Sequence, residues 1–214
     1  MTDAAGTAAS VPVVLRAVRF LRRLLDRTVA GMACLAGWTY VICALFITAD
    51  IVGRSFFGVS SAATVEISGY MLACGISWSL AHTLAERAHI RVDVLVNRMP
   101  VGPRALLHIL AISLLGLFGG FLAWAGWELL QESLMFNAHD NSALHIPMAI
   151  PQGIWVTGLF AFMAMIAVLL LEAVLGLLCG YLEDTVALLD SRSIDDETEE
   201  ALEAVAMSRK DAKT

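Results

Sequence analysis

Four stretches of this chain contain no Asp, Glu, Lys or Arg: Thr28–Ala49 (22 residues), Ile67–Ala85 (19), Ala105–Trp127 (23) and Asn141–Leu171 (31). They leave few folds open. A hydrocarbon core ~30 Å thick is crossed by about 20 helical residues rising ~1.5 Å each. In lipid, only helices and closed barrels satisfy their own backbone hydrogen bonds, and strand signals of matching length are absent. The expectation is an all-α membrane protein with four transmembrane helices. The composition agrees, with 58% hydrophobic and 16% charged residues against about 25% charged in an average soluble chain.

Arginine placement orients the spans. Five precede the first (Arg16, Arg19, Arg22, Arg23, Arg27), only Arg54 follows it, Arg87, Arg91, Arg98 and Arg104 lie between the second and third, and none lies between Glu128 and Gln152. The tail adds Arg192, Arg209, Lys210 and Lys213. Alternation of this kind is what the positive-inside rule produces when both the N- and C-termini are cytoplasmic. The first apolar run, at 22 residues, exceeds the about 7–15 residues of a secretory signal's core and has no small-residue cleavage site before Asp50, so it is expected to remain as a span.

Three segments follow: a cytoplasmic Arg-rich stretch over 1–27, a four-helix membrane domain over 28–181 with spans at about 28–49, 65–85, 105–127 and 152–172, and an acidic cytoplasmic tail over 182–214. The net charge of −6 belongs to that tail, which holds ten Asp/Glu and four Lys/Arg, whereas residues 1–181 hold ten of each sign. Such a run reads as a solvated extension, and nothing in it suggests a nucleic-acid partner. Cys34, Cys43, Cys74 and Cys179 have neither CxxC nor zinc spacing and read as buried, reduced side chains.

The polar stretch Ala85–Pro100, "AERAHIRVDVLVNRMP", falls on the cytoplasmic side. Ile90, Val94 and Leu95 share one helical face and Arg91 and Arg98 another, which predicts an in-plane amphipathic helix between spans two and three, apolar side toward lipid. The alternative is an ordinary connector with retained positive charge, and Val92, Val94 and Val96 also read as strand alternation. Pro100, Gly102 and Pro103 end it before span three, and Pro147 and Pro151 mark an irregular start to span four.

Small residues recur every fourth position in span two, at Gly69, Ala73, Ser77 and Ala81. Without a hydrophobic drive between helices in lipid, close backbone approach through small residues is a main source of packing, so this ladder predicts a helix contact. Gly116 and Gly120 repeat the pattern in span three. Arg54 and Glu66 flank the outer turn and are expected to pair as a structural clamp, a charged pair near lipid being less costly than either charge alone. His82 and His108 lie near the same membrane face; imidazoles so placed can bracket a haem iron, giving a second reading as a haem b-binding membrane anchor of a respiratory oxidoreductase. An interfacial histidine with an ordinary hydrogen bond is the simpler reading of each. No acidic residue occupies the centre of a span, no helix is broken at mid-membrane, and no phosphate loop, nucleophile elbow or metal-ligand set occurs. A non-enzymatic supporting subunit is expected.

"DIVGRSFF" ending span one, Glu66 opening span two, "AHIRVDVLVNRMP" after it and "IPMAIPQGIW" opening span four together resemble the small membrane subunit, DctQ type, of tripartite ATP-independent periplasmic (TRAP) transporters, over about Leu24–Leu178. The resemblance implies a non-catalytic scaffold, in the bacterial inner membrane, for a large permease subunit of DctM type that carries the substrate and sodium sites. It also implies help in docking a periplasmic solute-binding protein that delivers an organic acid, a C4-dicarboxylate being one candidate. Arg54 and Glu66 match the family's charged positions around the outer turn, His89, Ile90, Val92 and Asp93 its "HIxVD" segment, and Pro147 and Pro151 its prolines before span four. No cofactor is implied; membrane lipid is a further partner.

Overall fold

A computed structural model describes residues 13–58, 63–87, 99–141 and 144–189, with four isolated positions in the tail. The described residues form four long helices and a short one: α1 (Val13–Phe57), α2 (Thr64–Ala85), α3 (Val101–Met135), α4 (Ala149–Leu178) and α5 (Leu182–Leu189). No strand occurs among them; the nearest approach is an isolated antiparallel bridge between His139 and Pro147. The segment 88–98, where the in-plane helix is expected, lies outside the described residues.

α4 is the hub. It packs against α1, α2, α3 and α5, while α1 also packs on α2, and α3 on α5. Of the most apolar stretch of α4, 44% is buried, against 22% for α3 and 11% for α1. Mean hydropathy follows the same logic: a helix surrounded by neighbours is apolar on every side.

Three helices, α1, α3 and α4, are long and apolar enough to cross a membrane. α2, with 22 residues, spans about 33 Å but is diluted by Gly69, Gly75, Ser77, Ser79 and Thr83.

Two helices exceed the predicted spans. α1 starts at Val13, fifteen positions before Thr28, because the arginines of this segment are good helix formers and Leu15, Val18 and Val29 form a buried stripe along it. The Arg-rich stretch is therefore continuous with the first span. α3 runs on to Met135, past Trp127. At its start Pro100 is the N-cap and Pro103 sits in the first turn, where no amide hydrogen is needed.

Helix ends are closed by residues in the left-handed region. After α4, Gly180 (φ +80°) donates to Leu177 O at 3.2 Å and Tyr181 to Gly176 O at 2.9 Å, the paired bonds of a Schellman motif. Asn137 (φ +47°) closes α3 in the same manner, with Asn137 N to Leu134 O and Ala138 N to Ser133 O. Arg87 (φ +57°) follows the end of α2 and donates to Leu84 O at 3.1 Å.

The helices approach most closely at glycines. A Cβ on Gly158 of α4 would lie 2.6 Å from the carbonyl carbon and Oγ of Ser77 on α2. One on Gly75 would lie 2.7 Å from the Tyr40 ring of α1, and one on Gly126 2.9 Å from the Trp155 ring. Larger side chains fill the other half of the bundle, where Leu84, Ile112, Met165, Leu169 and Leu189 form one cluster.

Candidate functional site

Two regions concentrate polar groups in an otherwise apolar bundle: the end holding the N-terminal arginines and the end holding the α3–α4 loop.

At the arginine end, Glu172 of α4 is buried, with 5% of its surface exposed. Arg19 Nε approaches Glu172 Oε1 at 3.3 Å, and Arg22 Nε approaches Oε2 at 2.8 Å. Arg19 and Arg22 are one turn apart on α1, so a single helix face presents both guanidinium groups to the same carboxylate. A buried carboxylate is tolerated when paired in this way. The effect is to tie the extension of α1 to the hub helix.

At the loop end, the Tyr70 hydroxyl of α2 donates to Asp140 Oδ2 at 2.6 Å and lies 3.6 Å from Met148 Sδ. The loop folds back on itself, with Asp140 N bonded to Ile146 O at 3.0 Å and Met148 N to Ala138 O at 2.9 Å. Pro151 has no amide hydrogen to return to Pro147, and Ile150 N takes that carbonyl at 3.1 Å. Trp78 Nε1 donates to Ile154 O at 2.9 Å, a second tie between α2 and the first turns of α4. Beneath the loop, Ile67, Met71, Gly75, Trp78, Ile150 and Ile154 help line an apolar groove of about 340 Å³ between α1, α2 and α4. Two acceptors are buried here without a hydrogen-bond partner among the described residues, Glu66 Oε2 and Gln152 Oε1.

The small-residue ladder of α2 divides between two surfaces. Ser77 and Ala81 are buried, at 1% and 0% exposure, and Ser77 makes the close contact with Gly158. Gly69 and Ala73 are exposed, and a Cβ on Gly69 would meet nothing within 4 Å. Gly116 does approach α4, at Ile166.

The clamp expected between Arg54 and Glu66 is not formed. Arg54 is exposed in the last turn of α1, and Glu66 Oε2 is buried without a hydrogen-bond partner among the described residues. Antiparallel helices brought the two residues to one end of the bundle but did not aim them at each other. Pro147 joins the bridge to His139, and Pro151 lies in the first turn of α4. His89 and Asp93 lie outside the described residues.

His108 is buried at 3% exposure and His82 is half-buried, but α2 and α3 each pack on α4 rather than substantially on one another. That packing lends the haem reading no support. Cys34 and Cys179 are exposed and only Cys43 is buried, correcting the expectation that all four are interior.

Sequence reasoning missed the Glu172 cluster and the Tyr70–Asp140 bond. The first had a signal: Glu172 is the only charged residue between Asp140 and Glu183.

A family model described as "Tripartite ATP-independent periplasmic transporters, DctQ component" matches residues 43–179. The matched segment begins within α1 and ends just past α4, so Arg19 and Arg22 precede it. No match is found among curated proteins or among solved structures. This family groups transporter components rather than enzymes, and the match takes in more than half of the sequence and three complete long helices. The chain belongs to the DctQ component family of the tripartite ATP-independent periplasmic transporters.

Proposed function

We propose that this small membrane subunit is a scaffold for a large DctM-type permease in a sodium-coupled importer of an organic acid, and that its loop end helps to receive the periplasmic binding protein. In this reading the chain crosses the bacterial inner membrane four times with both termini in the cytoplasm. α2 is the fourth span: its length suffices, and much of its small and hydroxyl-bearing surface faces α1 and α4 rather than lipid.

The observation that carries the reading is the surface around Gly69 and Ala73. Of these exposed small residues, Ala73 lines a small apolar cavity with Tyr70, Gln152 and Trp155, and Gly69 lies one turn after Glu66, so both adjoin a buried acceptor. A partner helix seated there would gain close backbone approach and could supply donors to both acceptors. Arg54 and Pro147 flank the same end, and Pro151 shapes the groove wall. His89 and Asp93 would act from the cytoplasmic segment between α2 and α3.

Affinity purification of the tagged chain from cells that also express the large subunit tests this. The wild type should retain that subunit, and Gly69→Leu with Ala73→Leu should lose most of it while the chain itself still accumulates. Undiminished retention by the double variant would contradict the assigned surface. Transport by the purified chain alone in liposomes would contradict the scaffold role.

A further inference from the structure

We propose that the acidic C-terminal tail folds back as a helix onto the exposed face of the α1 extension, so that two segments of this chain cover each other. Over Val13–Arg27 the inward side of α1 holds Leu15 and Val18, both buried. The other side carries Val13, Val14, Phe20, Leu21 and Leu24, exposed at 74%, 61%, 70%, 44% and 51%. At helical spacing these five form one stripe, with Arg16, Arg23 and Arg27 along one edge. All three of those arginines are exposed.

Lipid does not reach most of the stripe. The uncharged run of α1 begins at Thr28, and Val13 to Leu21 precede it by 15 to 7 residues, about 10–22 Å of helix rise. Headgroups occupy roughly 5–8 Å outside the hydrocarbon core. An apolar stripe beyond that depth marks a surface for a protein segment.

The tail carries the matching surface. Ile194, Ala201, Leu202 and Val205 fall on one helical face, and Asp195, Asp196, Glu197, Glu199, Glu200 and Glu203 on the remainder. Thr198, Leu202 and Val205, described positions of the tail, are helical and exposed. Ile194–Met207 has six carboxylates and no Lys or Arg, whereas Val13–Arg27 has five arginines and one carboxylate, Asp26. Opposite charges at the edges of two apolar faces fix their register. The 14 residues of Ile194–Met207 make a helix that is marginal alone in water, and the stripe gives it a partner.

Position and length agree. Leu188 and Leu189 end α5 against α1: with Arg19, Arg22 and Arg23 they line a cavity of about 390 Å³, and Leu189 joins Val29 in the core cluster. The tail therefore leaves the bundle beside the arginines of α1. Asp190–Ser193 reaches about 14 Å when extended. A tail helix of about 21 Å then matches the ~22 Å of Val13–Arg27. The inference needs only the membrane setting and not the scaffold role, since both segments lie at one end of the bundle.

Hydrogen exchange read by mass spectrometry on the full-length chain in phosphatidylcholine nanodiscs tests the fold-back. Amides of 194–207 should exchange about tenfold more slowly than those of an unstructured chain of the same sequence. Leu202→Asp should abolish that protection without touching the bundle. Arg23→Glu with Arg27→Glu should lower it about five-fold, while Arg54→Glu at the opposite end leaves it unchanged. Adding Glu197→Arg and Glu200→Arg to the arginine variant should restore most of it, a rescue that misfolding does not give. Unprotected tail amides in the wild type would overturn the proposal, as would protection indifferent to Leu202→Asp or to the paired arginine substitutions. Protection found only in discs that hold two copies would refute the fold-back and assign the stripe to the tail of a neighbouring copy.

Discussion

The two ends of this bundle are held together by different physics. Toward the arginine end, large apolar side chains from α2, α3, α4 and α5 fill a continuous core, and a buried carboxylate fastens α1 to α4. Toward the loop end, contacts are made by Gly75, Ser77, Gly126 and Gly158, a groove stays open, and the loop is pinned by one tyrosine. The first end is held by large side chains and a buried ion-pair cluster. The second has its backbones drawn close in some places and exposed small residues in others, which is what a surface prepared for another helix requires.

The strongest way to break this contrast is Gly158→Ala. The added methyl meets the backbone of Ser77, which cannot rotate away, so we expect about 3 kcal/mol of destabilisation, the upper part of the range for overpacking. Gly37→Ala, which meets open space, should be nearly neutral. Unfolding followed by circular dichroism in detergent measures both, and similar effects at the two positions would mean that close approach does not hold α2 to α4.

Glu172→Gln should come next, at about 2 kcal/mol. Removing one partner of a buried pair costs ~3–5 kcal/mol, but Arg19 and Arg22 retain about 30% side-chain exposure, and water relieves part of that loss. Limited proteolysis should then cut the extension of α1 while α4 stays protected. Equal protection of wild type and variant would show that apolar packing of Leu15 and Val18 suffices.

Tyr70→Phe is the mildest test, at about 1.5 kcal/mol, the lower value for a hydrogen bond to a charged group. Its effect should be local: faster hydrogen exchange at Asp140 and Met148 with little change at Glu172. Spread of the effect to the arginine end would mean that the two regions are not independent.

All four long helices were legible from charge-free runs, because in lipid a helix is set by composition along one chain. Their lateral relations were not. Gly69 and Ser77 occupy the same ladder in the sequence, yet one is exposed and the other buried, since a period of four specifies a face without naming its neighbour. Arg54 and Glu66 were matched by depth alone, and depth does not aim side chains. The start of α1 was missed because arginines were read as a flank, although Leu15 and Val18 recur at helical spacing. The family motifs were more informative than any single residue, being tied to order along the chain.

α1 contains no proline over its 45 residues, and the usual cause of a sharp kink is therefore missing. Such a rod turns as one piece. Fastened to Glu172 near one extremity and lying along α2 and α4, it joins the N-terminal arginines and Arg54 in one continuous element, so the two ends of the bundle share a single backbone strut.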